Sequence, residues 1–343
     1  MINFIRNIII NKRSKISFKK VFKKANFSLN RGLSYSIKSF GVKNKNKIFY
    51  VINRSPGGGM FSNLNFVIHH LLIAETFNFI PIIDMENFPT LYNEKKKINN
   101  SLNAWDYYFE SINKYNLKDV YKSKNVIFTN RYTFKNIYFD GFNKLSKSHI
   151  KICKKYINFK KEIISESRNF IMKNFKNKKI LGVHFRGSDQ KTQERHPLPA
   201  TIRQIEVRII KLLDEKKLDN FFLVTEEKKY LKYFQKKMGN KLIHLNSFTS
   251  NKTNIFDDNP NNRSLHRYKI GKENIINMLC LSHADHLLYV SSNLAEASLF
   301  FSKKKIAVSK IDNGLNSSNV FISQFYWYLR KLLPKFLGGF KID

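Results

Sequence analysis

The chain has 343 residues, of which 42% are hydrophobic and 14% aromatic, and its formal net charge is +37. This length favours two domains, and the apolar content excludes a wholly disordered protein. The charge suits an anionic partner, either nucleic acid or a membrane surface. Alternatively, because Lys far outnumbers Arg and Asn, Ile and Phe are also abundant, much of the charge reflects a bias in base composition.

The expected compartment is the cytoplasm. Cys153 and Cys280 have neither the spacing of metal ligands nor that of a disulfide framework, which suits a reducing environment. No apolar run approaches the ~20 residues that span a bilayer, and the first residues place their charge on the wrong side of the apolar patch for a signal peptide. Peripheral attachment to the inner face of an anionic membrane is compatible with these features.

The N-terminal part of the chain predicts a basic extension followed by a small parallel sheet. The extension, residues 1–46, forms either an amphipathic surface helix or a poorly ordered tail. A strand over 47–53, a helix over 62–78 and a strand over 79–83 then make a β-loop-α-β unit. We expect this unit to begin a first, Rossmann-like domain over residues 47–158 that holds the acceptor.

The turn between the first strand and the helix is rich in glycine. Gly57, Gly58 and Gly59 would let a ligand approach the backbone, and the following helix N-terminus, with Asn63 nearby, favours an anion. The spacing matches neither a dinucleotide fingerprint nor a P-loop. A substrate contact and a plain tight turn are therefore both consistent with this segment.

Two further features of the first domain have alternative interpretations. Asp84 and Glu86 follow a strand, where a carboxylate pair would hold Mg²⁺ or Mn²⁺ on a diphosphate, or would simply be solvated loop residues. The segment 105–108 (Trp-Asp-Tyr-Tyr) is either a stacking platform for an acceptor sugar or part of the domain core.

The rest of the chain alternates between helix and strand. Residues 141–178 form a bridging helix, and the alternation that follows predicts a doubly wound parallel sheet over 159–310. Residues 311–343, with the apolar, aromatic and basic segment 321–340, form a closing amphipathic helix. The predicted strands of the second domain are 180–185, 220–225, 241–245, 286–290 and 305–309, and the predicted helices are 198–217, 228–238, 272–283 and 293–302.

Charged residues follow the first strand of this second domain. His184, Arg186 and Asp189 come directly after the apolar run, at the kind of strand end where open α/β sheets bind ligands. The forked guanidinium of Arg186 suits a phosphate, and Glu194 is placed to take a proton as a general base. The pattern predicts a site for an anionic, diphosphate-bearing substrate.

Two other strand ends carry polar residues. Glu226 and Glu227 follow the strand over 220–225, and Ser291 and Ser292 follow the strand over 286–290. The serines either bind phosphate together with the next helix N-terminus or simply cap that helix.

Together these blocks resemble the fucosyltransferase superfamily of GT-B fold, in particular the α-1,6-fucosyltransferases and the related O-fucosyltransferases. The segment His184–Asp189 is similar to the block His-x-Arg-Arg-x-Asp, whose first arginine grips the β-phosphate of GDP-fucose. That arginine corresponds to Arg186, and Glu194 corresponds to the carboxylate assigned as the base. The resemblance covers most of residues 48–310 and also includes the Gly57–Gly59 loop, the Glu226–Glu227 pair and the Ser291–Ser292 pair as substrate contacts.

The resemblance implies two Rossmann-like domains that face a cleft, and an inverting, metal-independent transfer of a sugar from GDP-fucose to a glycan hydroxyl. It implies no cofactor, no metal and no nucleic-acid partner. The acceptor glycan could be lipid-linked. The sequence departs from the family pattern in three places. Gly187 replaces the second arginine, whose contact Lys191 could supply, and Asn277 replaces an acidic residue. Glutamates occupy positions 226 and 227, where the family has aspartates.

Two alternatives follow from these departures and from the charge. The first is a transferase for another nucleotide sugar, including a metal-dependent one built on Asp84 and Glu86. The second is a basic protein that binds nucleic acid or a membrane surface without catalysis.

Overall fold

The computed structural model describes residues 37–129, 141–187, 189–252, 254–259 and 262–342. The predicted N-terminal extension thus lies mostly outside the described residues. The chain divides into two compact units, of which the first ends at Lys160 and the second begins at Lys161. The closing segment 311–342 belongs to the second unit.

The sheet of the first unit has the strand order β1-β4-β2-β3. Its central strand β2 is parallel to β3 and to β4, while β1 is antiparallel to β4. All four residues of β2 are buried, as expected for a central strand covered on both faces. The strands are β1 (Ile37–Lys38), β2 (Phe49–Ile52), β3 (Ile80–Ile83) and β4 (Val126–Phe128).

The helices of the first unit are α1 (Met60–Thr76), α2 (Leu117–Val120) and α3 (Lys147–Tyr156). Helix α1 connects β2 to β3 and is buried along most of its length, and its buried residues include the polar Asn63, Asn65, His69 and His70. The aromatic segment at 105–108 is also interior: Trp105, Tyr107 and Tyr108 are at most 3% exposed. The structure therefore supports the interpretation of this segment as core.

The sheet of the second unit is entirely parallel, with the order β7-β6-β5-β8-β9. This order is that of a Rossmann-like sheet, so the predicted α/β class is confirmed. The strands are β5 (Ile180–His184), β6 (Asn220–Val224), β7 (Leu242–Ile243), β8 (His286–Tyr289) and β9 (Ala307–Lys310). The helices are α4 (Lys161–Asn174), α5 (Ile202–Glu215), α6 (Lys228–Met238), α7 (His266–Leu281), α8 (Asn293–Phe301) and α9 (Val320–Leu332).

Several element boundaries differ from the prediction. The single bridging helix expected over 141–178 is two helices, because the chain between them pairs with the segment after Trp105, where the Glu110 amide donates to the Asn158 carbonyl at 2.8 Å. The last helix ends at Leu332 rather than at 340, since Pro334 cannot continue it. In the part of the chain that the structure describes, no helix has the length and apolarity needed to cross a bilayer.

Candidate active site

The carboxyl ends of β5 and β8 meet where the strand order of the second sheet reverses. From the central β5 the chain runs outward to β6 and β7, and it then returns to β8 and β9 on the other side. Connections leave such a point in opposite directions and open a crevice above the strand ends. His184 is the last residue of β5 and is in register with Tyr289 of β8. The fold therefore brings the Arg186 block and the Ser291 block to one crevice.

A hydrogen bond from His184 links these two strand ends. Its Nδ1 lies 3.0 Å from the hydroxyl oxygen of Ser292, which also accepts a 3.2 Å bond from the amide of Ala295 and so caps α8. The direction of the bond between Nδ1 and the hydroxyl is set by the tautomer of His184. Burial, reinforced by the charge of Arg186, lowers the pKa of His184 to about 3. The ring is therefore neutral at physiological pH and acts as a positioning group.

Arg186 lies just beyond β5 with 31% of its side chain exposed. Its Nε is 3.7 Å from the Oε2 atom of Glu226, which follows β6. A long ion pair between partly exposed groups contributes at most about 1 kcal/mol, so a diphosphate that matches the guanidinium fork could displace the carboxylate. Arg186 is thus placed at the end of β5, beside Glu226.

Gly187 explains the missing second arginine. A Cβ atom at this position would lie 2.1 Å from the Oε1 atom of Glu227 and 2.8 Å from the Nζ atom of Lys191. These two atoms form a buried ion pair of 2.8 Å, and Lys229 binds the other Glu227 oxygen at 2.9 Å. Burial alone would raise the pKa of Glu227, but the two lysines outweigh it and hold the pKa below its usual range.

This ion pair bears on two sequence-based expectations. Lys191 does not replace the missing arginine as a cation facing the ligand, because its ammonium group is neutralised internally and lies over the rings of Tyr230 and Trp327, at 5.2 and 5.3 Å. The resemblance implies that Glu227 contacts the substrate, whereas its carboxylate is occupied by two lysines. Lys191 and Glu227 bind each other in the interior next to the end of β5.

Ser291 and the N-terminus of α8 form the other wall of the crevice. The Ser291 hydroxyl donates to Oε1 of Glu296 at 3.1 Å, and Glu296 lies in the first turn of α8, where a carboxylate complements the helix dipole. Both serines are partly exposed. Ser292 therefore caps the helix, and the phosphate contact of this pair stays a prediction.

Glu194 lies in the loop that connects β5 to α5, and its side chain is exposed. The loop is fixed to the C-terminal segment: the Arg195 amide donates to the Ser317 carbonyl at 3.2 Å, and the Asn316 amide group donates to the carbonyls of Lys191 and Gln193 at 3.2 and 3.1 Å. Asp189 begins a short 3-10 helix in this loop, but its side chain lies outside the described part of the structure.

A cavity of about 20 Å³ lies beside His184 and Glu226. It has room for about one water molecule. Its lining also includes Asn277, the residue that replaces the family's acidic side chain, and Glu273 one helical turn earlier. A carboxylate is therefore present on the same face of α7, displaced by four residues from the position at which the family pattern has it.

Sequence reasoning did not identify Glu273 as a site residue. Its carboxylate accepts a 3.0 Å bond from the Phe248 amide and a short hydrogen bond from the guanidinium of Arg263. It thus ties the loop after β7 to α7 at the edge of the crevice. The spacing of 273 and 277 on one helical face was the signal that could have pointed to it.

The glycine-rich turn belongs to the first unit and is supported by Asn63. The side chain of Asn63 accepts from the Gly58 amide at 2.9 Å and donates to the Gly58 carbonyl at 3.1 Å. Gly57 has a φ of 75°, which favours glycine. A Cβ atom at Gly59, by contrast, would meet nothing within 4 Å. The buried Asn63 side chain therefore stabilises this turn through its hydrogen bonds to Gly58. Gly59 is the glycine of the turn that has free space around its Cα.

The carboxylate of Asp84 is already occupied by protein donors. It accepts hydrogen bonds from the amides of Glu86 and Asn87 at 3.1 and 2.9 Å, and from the Tyr121 hydroxyl at 2.5 Å. Asp84 is completely buried, whereas Glu86 is exposed. This geometry gives Asp84 a place in the loop structure and weakens the metal-dependent alternative.

Comparison with solved structures identifies the fold. NodZ α-1,6-fucosyltransferase co-crystallized with GDP is 14% identical and has a TM-score of 0.51, over 79% of this chain and 97% of that chain. NodZ soaked with GDP-fucose is 15% identical with a TM-score of 0.50, over 74% and 92%. Fucosyltransferase NodZ from Bradyrhizobium is 14% identical with a TM-score of 0.49, over 74% and 92%.

The sequence itself matches no protein-family model and no curated protein sequence. The similarity to solved structures therefore concerns the fold. It confirms at that level the resemblance inferred from the strand-end blocks: this chain has the two-sheet α/β fold of NodZ α-1,6-fucosyltransferase.

Proposed function

We propose that this protein is an inverting, metal-independent glycosyltransferase that transfers a sugar, with GDP-fucose as the preferred donor, to a hydroxyl group of a glycan. One observation carries the proposal. Arg186 and the N-terminus of α8 meet at the switch point of the second sheet, joined by the bond between His184 and Ser292, in a fold shared with a transferase crystallized with GDP.

Arg186 has the central electrostatic role in this proposal. As the bond between the anomeric carbon and the diphosphate oxygen breaks, negative charge develops on the leaving GDP. A preorganised cation at that point stabilises the transition state more than the ground state. The guanidinium would exchange its long contact with Glu226 for the β-phosphate, and backbone amides of the Ser291–Ser292 segment at the N-terminus of α8 would donate to the same diphosphate.

Glu194 is the proposed general base. It would take the proton from the acceptor hydroxyl while the hydroxyl oxygen attacks the anomeric carbon from the side opposite GDP, so that the configuration inverts. The products are the new glycoside, GDP, and the proton on Glu194. The exposure of Glu194 suits a group that must meet an acceptor arriving from solvent.

Two substitutions separate these roles. Arg186→Ala should lower transfer by at least about a hundredfold and weaken GDP binding, because the main cation at the diphosphate is lost. Glu194→Gln should lower turnover by a similar factor and leave GDP affinity nearly unchanged. Arg168→Ala, an exposed substitution on α4, serves as the control. Equal loss of GDP binding in both site variants would contradict the assigned roles.

The donor is tested by calorimetric titration with GDP, GDP-fucose, GDP-mannose and UDP-glucose, each with and without EDTA. We expect binding of GDP and GDP-fucose that EDTA does not change. Preference for GDP-mannose or UDP-glucose would retain the fold and mechanism but change the donor, and loss of binding in EDTA would favour the metal-dependent alternative. If none of the four binds, the non-catalytic alternative, a basic binding protein, becomes the better description.

The acceptor of the proposed transfer is a glycan. A glycan hydroxyl is required by the chemistry, and a lipid-linked glycan would be consistent with a protein of net charge +37 that works at an anionic surface. Transfer of labelled fucose to a membrane fraction rather than to free oligosaccharides would support the lipid-linked form, and the reverse preference would exclude it.

A further inference from the structure

Helix α9 presents its apolar side to solvent. At 3.6 residues per turn, five of its exposed large side chains fall within an arc of about 100° on one face, and the exposed Val320 and Ile322 lie on either side of this arc. Phe321 and Leu332, near the two ends of the helix, are 83% and 82% exposed. The residues of the arc, here called the α9 outer face, are Phe321, Phe325, Tyr328, Leu329 and Leu332.

The opposite side of α9 is firmly anchored. Trp327 is 4% exposed, its indole nitrogen donates to the Pro199 carbonyl at 2.8 Å, and its ring packs with Leu198 and Phe340. Arg330 donates to the carbonyls of Asn313 and Gly338 at 2.7 and 2.8 Å. Because the opposite side of α9 is bound to the rest of the second unit, the orientation of the helix is fixed and its outer face stays exposed. Soluble proteins rarely expose a contiguous apolar face of this kind without a partner.

The surroundings of the outer face are basic. Lys331 lies on α9 beside the arc, and Lys335 and Phe336, both exposed, follow the helix. The sequence from residue 313 to residue 342 contains no Asp or Glu. An apolar face bordered by lysines is complementary to the interface of an anionic bilayer, where aromatic and aliphatic side chains enter the acyl boundary and lysines meet lipid phosphates.

We propose that the α9 outer face, with Lys331, Lys335 and Phe336, is a docking surface for an anionic phospholipid membrane. A second copy of the chain fits this surface less well, because an isologous contact would bring its lysines together. The basic residues 1–36 contain no acidic side chain. If they covered this surface, their lysines and arginines would be repelled by Lys331 and Lys335. The proposal concerns a surface away from the donor site and does not depend on the donor.

The experiment is co-sedimentation of the full chain with vesicles of phosphatidylcholine, with and without added phosphatidylglycerol. The native protein should bind the mixed vesicles and bind pure phosphatidylcholine weakly. Phe325→Ser combined with Leu329→Ser should lower the partition coefficient by at least about tenfold, because two apolar side chains that would enter the bilayer are removed. Lys331→Glu combined with Lys335→Glu should lower binding to the anionic vesicles by about tenfold or more.

Matched controls distinguish the surface from general effects. Met172→Ser on α4 replaces a side chain that is also largely exposed and should leave binding unchanged. Because the substituted positions are exposed, thermal unfolding and GDP titration should match the native protein, so a negative result here would leave the proposed function standing. Undiminished vesicle binding by the α9 variants would overturn the proposal, as would a native dimer that these variants dissociate.

Discussion

The substitution Gly187→Ala tests whether packing accounts for the departure from the family's arginine pair. The φ angle of Gly187 is not in the left-handed region, so alanine has no backbone penalty there. The added Cβ, however, would lie 2.1 Å from Oε1 of Glu227. Since ordinary contacts between heavy atoms are about 3.5 Å, the carboxylate would have to retreat by more than about 1 Å, which breaks its 2.8 Å contact with Lys191.

The magnitude follows from two opposing effects. Overpacking of an interior site costs about 1–3 kcal/mol, and separating a buried ion pair costs about 3–5 kcal/mol when it is complete. Alanine in place of glycine recovers about 0.4–1 kcal/mol through the unfolded chain. With partial separation of the pair, we expect Gly187→Ala to lower the free energy of unfolding by about 2–4 kcal/mol.

Urea unfolding followed by circular dichroism measures this change, as a shift of the midpoint at constant slope. Gly59→Ala is the matched control, because a Cβ there meets nothing within 4 Å, and it should lower stability by about 1 kcal/mol or less, the cost of a poorer N-cap of α1. In a Glu227→Ala background, Gly187→Ala should cost at least about 1 kcal/mol less than in the native chain. If Gly187→Ala and Gly59→Ala had equal effects, the steric explanation would be refuted.

Two further predictions concern histidine charge and helix capping. Burial lowers the pKa of both His70 and His184 to about 3 in the folded chain, from about 6.5 in the unfolded chain. Between these two pH values the unfolded state binds more protons than the folded state. Each histidine should therefore lower the free energy of unfolding by about 2 kcal/mol at pH 5. Equal urea midpoints at pH 7 and pH 5 would contradict this. Ser292→Ala should lower stability by about 1–2 kcal/mol, as loss of a cap does, and should also weaken GDP binding. The control Asn319→Ala removes the cap of α9 and should affect stability alone; a matching loss of GDP affinity in calorimetry would count against the Ser292 assignment.

The elements that the sequence predicted well are those whose signal is local. The strand β5 follows from an uninterrupted apolar run, and its position beside β6 and β8 follows from the alternation of helices and strands. The same alternation predicts that Arg186 and Ser291 lie at one edge of the sheet, where the fold places them. In such cases the topology of a parallel sheet converts separate motifs into one site.

The features that the sequence could not predict depend on contacts between distant residues. Helix α7 begins at His266, six residues earlier than expected, because the polar first turns are stabilised by packing and by an ion pair of 2.5 Å between Lys272 and Glu166 of α4. The role of Gly187 depends likewise on a lysine and a glutamate 36 residues apart in the chain. No periodicity in the sequence encodes which charged side chains become buried partners.

The attachment of the Glu194 loop to the C-terminal segment has a consequence for how the site is assembled. Asn316, which bonds to the loop, is 125 residues downstream of Lys191, so the loop cannot reach its final form until the last part of the chain has been made and folded. Contacts of such sequence separation form late, because the intervening chain must first be ordered. The loop that holds Glu194 is therefore completed by a segment far downstream in the chain, and a nascent chain that already carries a folded second sheet would still lack the native conformation of this loop.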